Sequence, residues 1–228
     1  SNYAVTNNGT LTHNDGTFQI TGGSNQWLRG SGSGAYYNLI SNNSSTLGMG
    51  VGANLSVAND LTINASKKLG FVSAQYTLTV TGDAIINGTF APTTTPTGAH
   101  SFGSLTIASG GTHNATTGTT TITSKNSSNY GIEGGGTFTH NNGEVKVTGN
   151  AYRFPIGATY YDFTWDTSSE PCYLYSTTLS GGATIDGTQN AGYTAILGTL
   201  KINDRGFVPY NATKLFINNL IIGDNTDS

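Results

Sequence analysis

Charge is what this sequence has least of. Only 9% of its 228 residues are Asp, Glu, Lys or Arg, where a globular chain carries about a quarter. The net charge is −3, and Lys67-Lys68 is the one place where two basic residues adjoin. Without a basic field to gather phosphates, nucleic-acid binding is not expected. The lone Cys172 excludes an internal disulfide framework and reads as a small hydrophobe, not a nucleophile. No apolar run approaches the ~18 residues of a membrane span, so membrane insertion is not expected. Ser1-Asn2-Tyr3 opens on strand-like text with no leader pattern. The text starts and stops in mid-pattern, which suggests one segment of a longer protein.

So little charge would fit a disordered chain, but such chains also lack aromatic and β-branched residues. Here 12 Tyr and 9 Phe accompany 32 Gly, together with many Val, Ile and Thr, the residue types that suit a pleated surface. An ordered all-β protein with an uncharged polar surface satisfies both facts.

Internal repeats decide the fold class. Asn8 to Gly22 matches Gly135 to Gly149 without a gap, and Thr12-His13-Asn14-Asp15-Gly16 stands against Thr139-His140-Asn141-Asn142-Gly143. Thr112-His113-Asn114 is a shorter echo. Leu55-Ser56-Val57-Ala58-Asn59-Asp60-Leu61 returns 23 residues later as Leu78-Thr79-Val80-Thr81-Gly82-Asp83-Ala84, and again in part at Val145-Lys146-Val147 and Leu200-Lys201-Ile202. Each copy is an alternating strand, a turn of small or amide residues, then another strand. A slower beat of an aromatic followed by Leu or Phe marks Leu39, Leu105, Phe163 and Leu220, with Gly-Thr-Leu/Phe between. Coils of about 20–27 residues with two or three short strands each predict a parallel β-solenoid (β-helix), in which stacked coils bury together what one coil cannot. The alternative is a pair of tandem β-sandwiches, which has no reason to repeat its strands at a fixed offset. Residues 1–150 read as regular coils. Residues 151–228 read as a less regular, aromatic-rich continuation or a separate module.

The phrases Gly136-Thr137-Phe138-Thr139-His140-Asn141-Asn142-Gly143 and Tyr37-Asn38-Leu39 resemble modules of repetitive phage virion proteins (tail fibre, spike, decoration) and of haemagglutinin-repeat bacterial adhesins. The resemblance covers most of residues 7–165 and is weaker beyond. It implies a structural and adhesive role in a virion or at a cell surface, other assembly subunits as partners, and specificity carried by loops or distal domains. Open coil edges invite pairing, so a homo-oligomer is expected, with a trimer as candidate.

For binding, exposed aromatics flanked by amides and hydroxyls point to host-surface glycans. Two groups have that make-up: Trp27, Arg29, Tyr36 and Tyr37, and then Tyr160, Asp162, Trp165, Asp166, Tyr173 and Tyr175. The competing expectation is that these rings fill the core. If 160–166 is one strand, alternation turns Tyr161, Phe163 and Trp165 inward and Tyr160, Asp162, Thr164 and Asp166 outward. Asp162 and Asp166 would then lie about 13–14 Å apart, too far for a glycosidase pair, unless Glu170 folds back. A polysaccharide-cleaving enzyme is therefore the third reading, and no enzyme activity is expected. His13, His113 and His140 stand in separate repeats without neighbouring ligands, so they are expected to cap turns and not to hold a metal. No cofactor is expected. Asp60 and Asp83 occupy matching turn positions, which argues for a structural task. Gly134-Gly135-Gly136 precedes no helical text, so it is not read as a phosphate loop.

Overall fold

A computed structural model describes residues 3–29, 33–45, 49–91, 95–149, 153–154 and 159–166. Beyond them it describes the backbones of strands Cys172–Leu174, Thr177–Leu179, Ala183–Asp186, Gln189–Ala191, Thr194–Ile202, Phe207–Pro209 and Leu215–Ile222. Among the described residues there is no helix, and every paired strand runs parallel to its neighbour. The chain is a β-solenoid whose coils have three faces. Tandem β-sandwiches, built of antiparallel strands, are excluded for this part of the chain.

The first face stacks Tyr3–Thr6, Gln26–Arg29, Met49–Val51, Lys68–Phe71, Thr89–Phe90, Thr112–Asn114 and Thr137–Thr139, marking about seven turns. The second face carries Thr10–Leu11, Ser33–Gly34, Leu55–Val57, residues 78–80 and 100–102, Thr119–Ile122, Glu144–Val147 and Asp162–Asp166. The third carries Thr17–Gly22, Asn38–Asn43, Leu61–Ile63, residues 84–86 and 105–107, Ile132–Glu133 and Arg153–Phe154. Leu78–Ile86 and His100–Ile107 each run round the corner between the second and third faces. Parallel pairing crosses residue 150, from Glu144 with Asp162 to Val147 with Trp165, and continues to Leu215–Ile222.

The 23-residue repeat is the register itself. Leu78 pairs with Leu55 and Val80 with Val57, while Ala84 pairs with Leu61 and Ile86 with Ile63. The Leu-x-Val phrase falls on the second face at each of its returns, including 145–147 and 200–202. Alternation within each short strand then sends one set of side chains inward. Leu39, Leu61, Ala84, Leu105 and Ile132 form one buried column, and Val57, Val80, Phe102, Ile122 and Val147 form another. Each fully buried Leu, Val or Phe is worth about 1.5–3 kcal/mol relative to exposure, which a single coil could not recover.

The Asn8–Gly22 and Gly135–Gly149 phrases, in contrast, lie on different faces. The first spans the second and third faces and the second spans the first and second. What they share is the corner. Asn14, Asp15, Asn141 and Asn142 all have positive φ, between 46° and 59°. Gly16 N–H reaches the His13 carbonyl at 3.0 Å and Gly143 N–H the His140 carbonyl at 2.9 Å. Two consecutive left-handed residues closed by an i to i+3 bond make a type I′ turn, which Asn, Asp and Gly favour.

A polar ladder lines the corner between the second and third faces. Asn38 Oδ1 accepts from the Asp60 N–H at 3.3 Å, Asp60 Oδ1 from the Asp83 N–H at 2.9 Å, and Asp83 Oδ1 from the Ser104 hydroxyl at 2.6 Å. The matching places of Asp60 and Asp83 are thus a structural device, each carboxylate meeting a donor from the next turn. Asp60→Ala should leave the half-buried Asp83 N–H unmet and lower stability by about 1 kcal/mol. The urea midpoint measures this, and an unchanged midpoint would mean that water replaces the carboxylate.

Candidate functional site

The outer side of the first face has a trough where side chains are missing. Leu28 and Val51 point into the core, so Trp27, Arg29 and Gly50 lie on the outer side of their strands. Trp27 pairs with Gly50, and its indole lies over that glycine so closely that a Cβ there would stand 2.6 Å from the ring. Just past the strand, Gly52 donates its N–H to the Leu28 carbonyl at 2.8 Å. A Cβ at Gly52 would meet Arg29 Cγ and Val72 Cγ2 at an ordinary 3.8 Å. The result is a groove of about 490 Å³ between Tyr3, Trp27 and Arg29 on one side and Val72 and Tyr76 on the other.

Among the described residues, Arg29 is held by Tyr3. Its Nη1 donates to the Tyr3 hydroxyl at 2.6 Å, and its guanidinium carbon stands 5.2 Å from the centre of the Tyr3 ring. The ion pair of Lys146 with Asp166, found among the described residues, does not involve it. A planar guanidinium with spare donors beside flat apolar rings can take a carboxylate and stack a ring at once.

The first predicted group is therefore partly assembled. Trp27 and Arg29 share the groove. Tyr36 opens the second face, bridged to Val57, and packs against the core. Burial raises its phenol pKa, and it meets Arg29 only across a separate cavity of about 50 Å³. Tyr37 stands apart, its ring 5.1 Å from that of His13. Tyr3, Gly52, Val72 and Tyr76 were not anticipated. The signal for them was the coil period, which sets Tyr3, Trp27 and Gly50 side by side.

In the second group, the outward expectation for Tyr160 is corrected: it is fully buried. Thr159–Tyr160 and Asp162–Asp166 are two strands with Tyr161 at the bend between them, so alternation does not carry across 160–166. Tyr160 packs on Phe138 and Phe163, while Tyr161 stacks on His140 at 5.8 Å. Phe163 is buried as expected, and exposed Asp166 forms an ion pair of 2.7 Å with Lys146. Asp162 pairs in register with Glu144, whose carboxylate accepts from the Thr119 and Thr164 hydroxyls. The backbones of Trp165 and Tyr173 are placed in strands. The side chains of Trp165, Tyr173 and Cys172, and the whole of Glu170 and Tyr175, lie outside the described residues.

Two of the three Thr-His-Asn histidines cap turns, as expected. The Nδ1 of His13 accepts from the Asp15 N–H at 3.0 Å, and that of His140 from the Asn142 N–H at 2.9 Å. His113 does not. It is fully buried in a column with Phe90 and Phe138, its ring stacked on theirs at 5.1 and 5.6 Å. His100, a residue the repeats did not flag, lies beside it at 6.3 Å. Among the described residues, neither ring nitrogen of either histidine has a hydrogen-bond partner. Burial lowers the pKa of His100 to about 4. Burial, and then the neighbouring His100, lower that of His113 to about 3. Among the described residues no three His, Cys, Asp or Glu gather as a metal site, and no helix is long and apolar enough to cross a membrane.

Compared with family models, curated proteins and solved structures, the chain matches none. Fold and site together define its class: a three-faced parallel β-solenoid with a lateral groove of aromatic rings and one arginine.

Proposed function

We propose that this chain is a structural and adhesive module of an extracellular assembly, a stiff spacer whose lateral surface touches glycans. A virion fibre, spike or decoration is the leading setting, and a secreted bacterial adhesin or surface filament is the other. The observation that carries the reading is the groove of Tyr3, Trp27, Arg29 and Tyr76, set on a ladder whose strands hold one direction throughout. Aromatic faces and a few donors on a surface with little charge suit sugar rings, and a parallel ladder resists bending because each coil is bonded to two others. A bare end of such a ladder presents unpaired N–H and C=O groups and calls for a cover, which further coils, another domain or partner copies would supply. A homo-oligomer, with a trimer as candidate, is part of the proposal.

The proposal includes binding without cleavage. It is supported by the engagement of Asp166 with Lys146 and of Glu144 with two threonine hydroxyls, which ties these carboxylates to partners on the second face. The test is retention of the purified chain on a panel of capsular and envelope polysaccharides, with reducing ends assayed in the same wells. Retention without new reducing ends is expected. New reducing ends that vanish in Asp162→Asn would replace this reading with a depolymerase.

A further inference from the structure

The geometry points to an acidic saccharide, a sugar chain bearing carboxylate groups, as the ligand of the groove formed by Tyr3, Trp27, Arg29, Gly52, Val72 and Tyr76. This rests on the glycan-contact reading above and narrows it to a chemical class and a subsite. The groove crosses successive coils, because Tyr3 and Trp27 pair across one rung and Trp27 and Gly50 across the next, with Val72 and Tyr76 one coil further. At ~4.8 Å per rung its floor is roughly 14 Å long, which suits a short run of sugar rings laid along the stack.

Each part of the groove has a separate task. Gly52 leaves the floor without a side chain, and Gly50 makes room for the Trp27 indole on its strand. The Trp27 indole, held down on Gly50, offers an ordered apolar surface for the face of a sugar ring. The Tyr3 hydroxyl and ring hold the Arg29 guanidinium in place. That guanidinium is exposed and has no carboxylate partner among the described residues. A fixed guanidinium beside a stacking surface selects an anion on a ring over a neutral ring, because its parallel N–H donors match a carboxylate. In a chain with nine basic residues among 228, one cation placed in the aromatic groove is a specific choice of ligand.

The test uses an array of uronate- and sialate-bearing glycans beside neutral ones, followed by titration calorimetry with the best uronate hit and its carboxyl-reduced counterpart. Carboxyl reduction is expected to weaken binding at least tenfold. Arg29→Gln should produce the same loss for the acidic form, so that the variant binds the acidic and reduced forms with similar affinity. Gly52→Gln, whose Cβ fits without a clash, should block both forms while leaving the melting temperature in place, so that lost binding is not lost folding. Equal affinity for the acidic and reduced forms, or acidic binding that survives Arg29→Gln, would overturn the acidic preference and leave glycan contact standing. Binding that Gly52→Gln does not touch would overturn this groove as the site. No bound glycan on the array would overturn both this inference and the glycan half of the proposed function.

Discussion

Acidification from pH 7 to pH 4 should cost the folded chain about 3 kcal/mol for each of His100 and His113, and His113→Phe should remove its share. Both rings are buried among Phe71, Phe90, Phe102 and Phe138 and neither has a hydrogen-bond partner among the described residues. Burial pulls their pKa values down from 6.5 to about 4 and about 3. In the unfolded chain both titrate near 6.5. Between those values the unfolded chain binds more protons, so stability is complete above pH 6.5, falls as the pH drops from there, and levels off below about pH 4 for His100 and about pH 3 for His113. At 1.36 kcal/mol per pKa unit, the loss by pH 4 is about 3 kcal/mol per ring. Phe already occupies the neighbouring places of the column, Phe90 before and Phe138 after, so His113→Phe fits the stack and deletes a buried polar group. Urea titrations at pH 7 and pH 4 measure both effects. A wild-type midpoint that does not move between the two would show that the rings are hydrated.

The second large effect separates two adjacent glycines. Gly134→Ala should destabilise the chain by about 4 kcal/mol, and Gly135→Ala should stay within about 0.5 kcal/mol of the parent. Gly134 has φ +112°, a region that side-chain-bearing residues rarely adopt, with a strain of about 1–3 kcal/mol. A Cβ there would also fall on the Ile107 carbonyl oxygen, the same oxygen that accepts the Gly136 N–H at 3.1 Å, and overpacking adds about 1–3 kcal/mol. Gly135 has no atom within 4 Å of its would-be Cβ. Thermal melts of the two single variants are the check, and equal losses would mean that this corner is not as tight as described.

The stacking order was legible because a solenoid writes its register into its period. The 23-residue match of Leu55 and Leu78 is the strand pairing itself, and the turn task of His13, His140, Asp60 and Asp83 follows from local text. Legibility failed where identical local text meets a different inward column. Thr112-His113-Asn114 reads like the two turn histidines, yet Ala115-Thr116 follows in place of their Asp-Gly or Asn-Gly, so it stays a strand and His113 enters the phenylalanine column. Tyr160 was misplaced because a one-residue bend at Tyr161 resets the alternation. The groove was half legible. Trp27 and Arg29 are two apart on one strand, but their companions come from coils whose alignment only the register reveals.

The measurement that tests the account most directly is the mass and shape of the purified chain, by multi-angle light scattering followed by negative-stain imaging. The account predicts an elongated particle whose mass is a multiple of one chain, with the long axis along the stack. A compact, monodisperse monomer would contradict the assembly component proposed here.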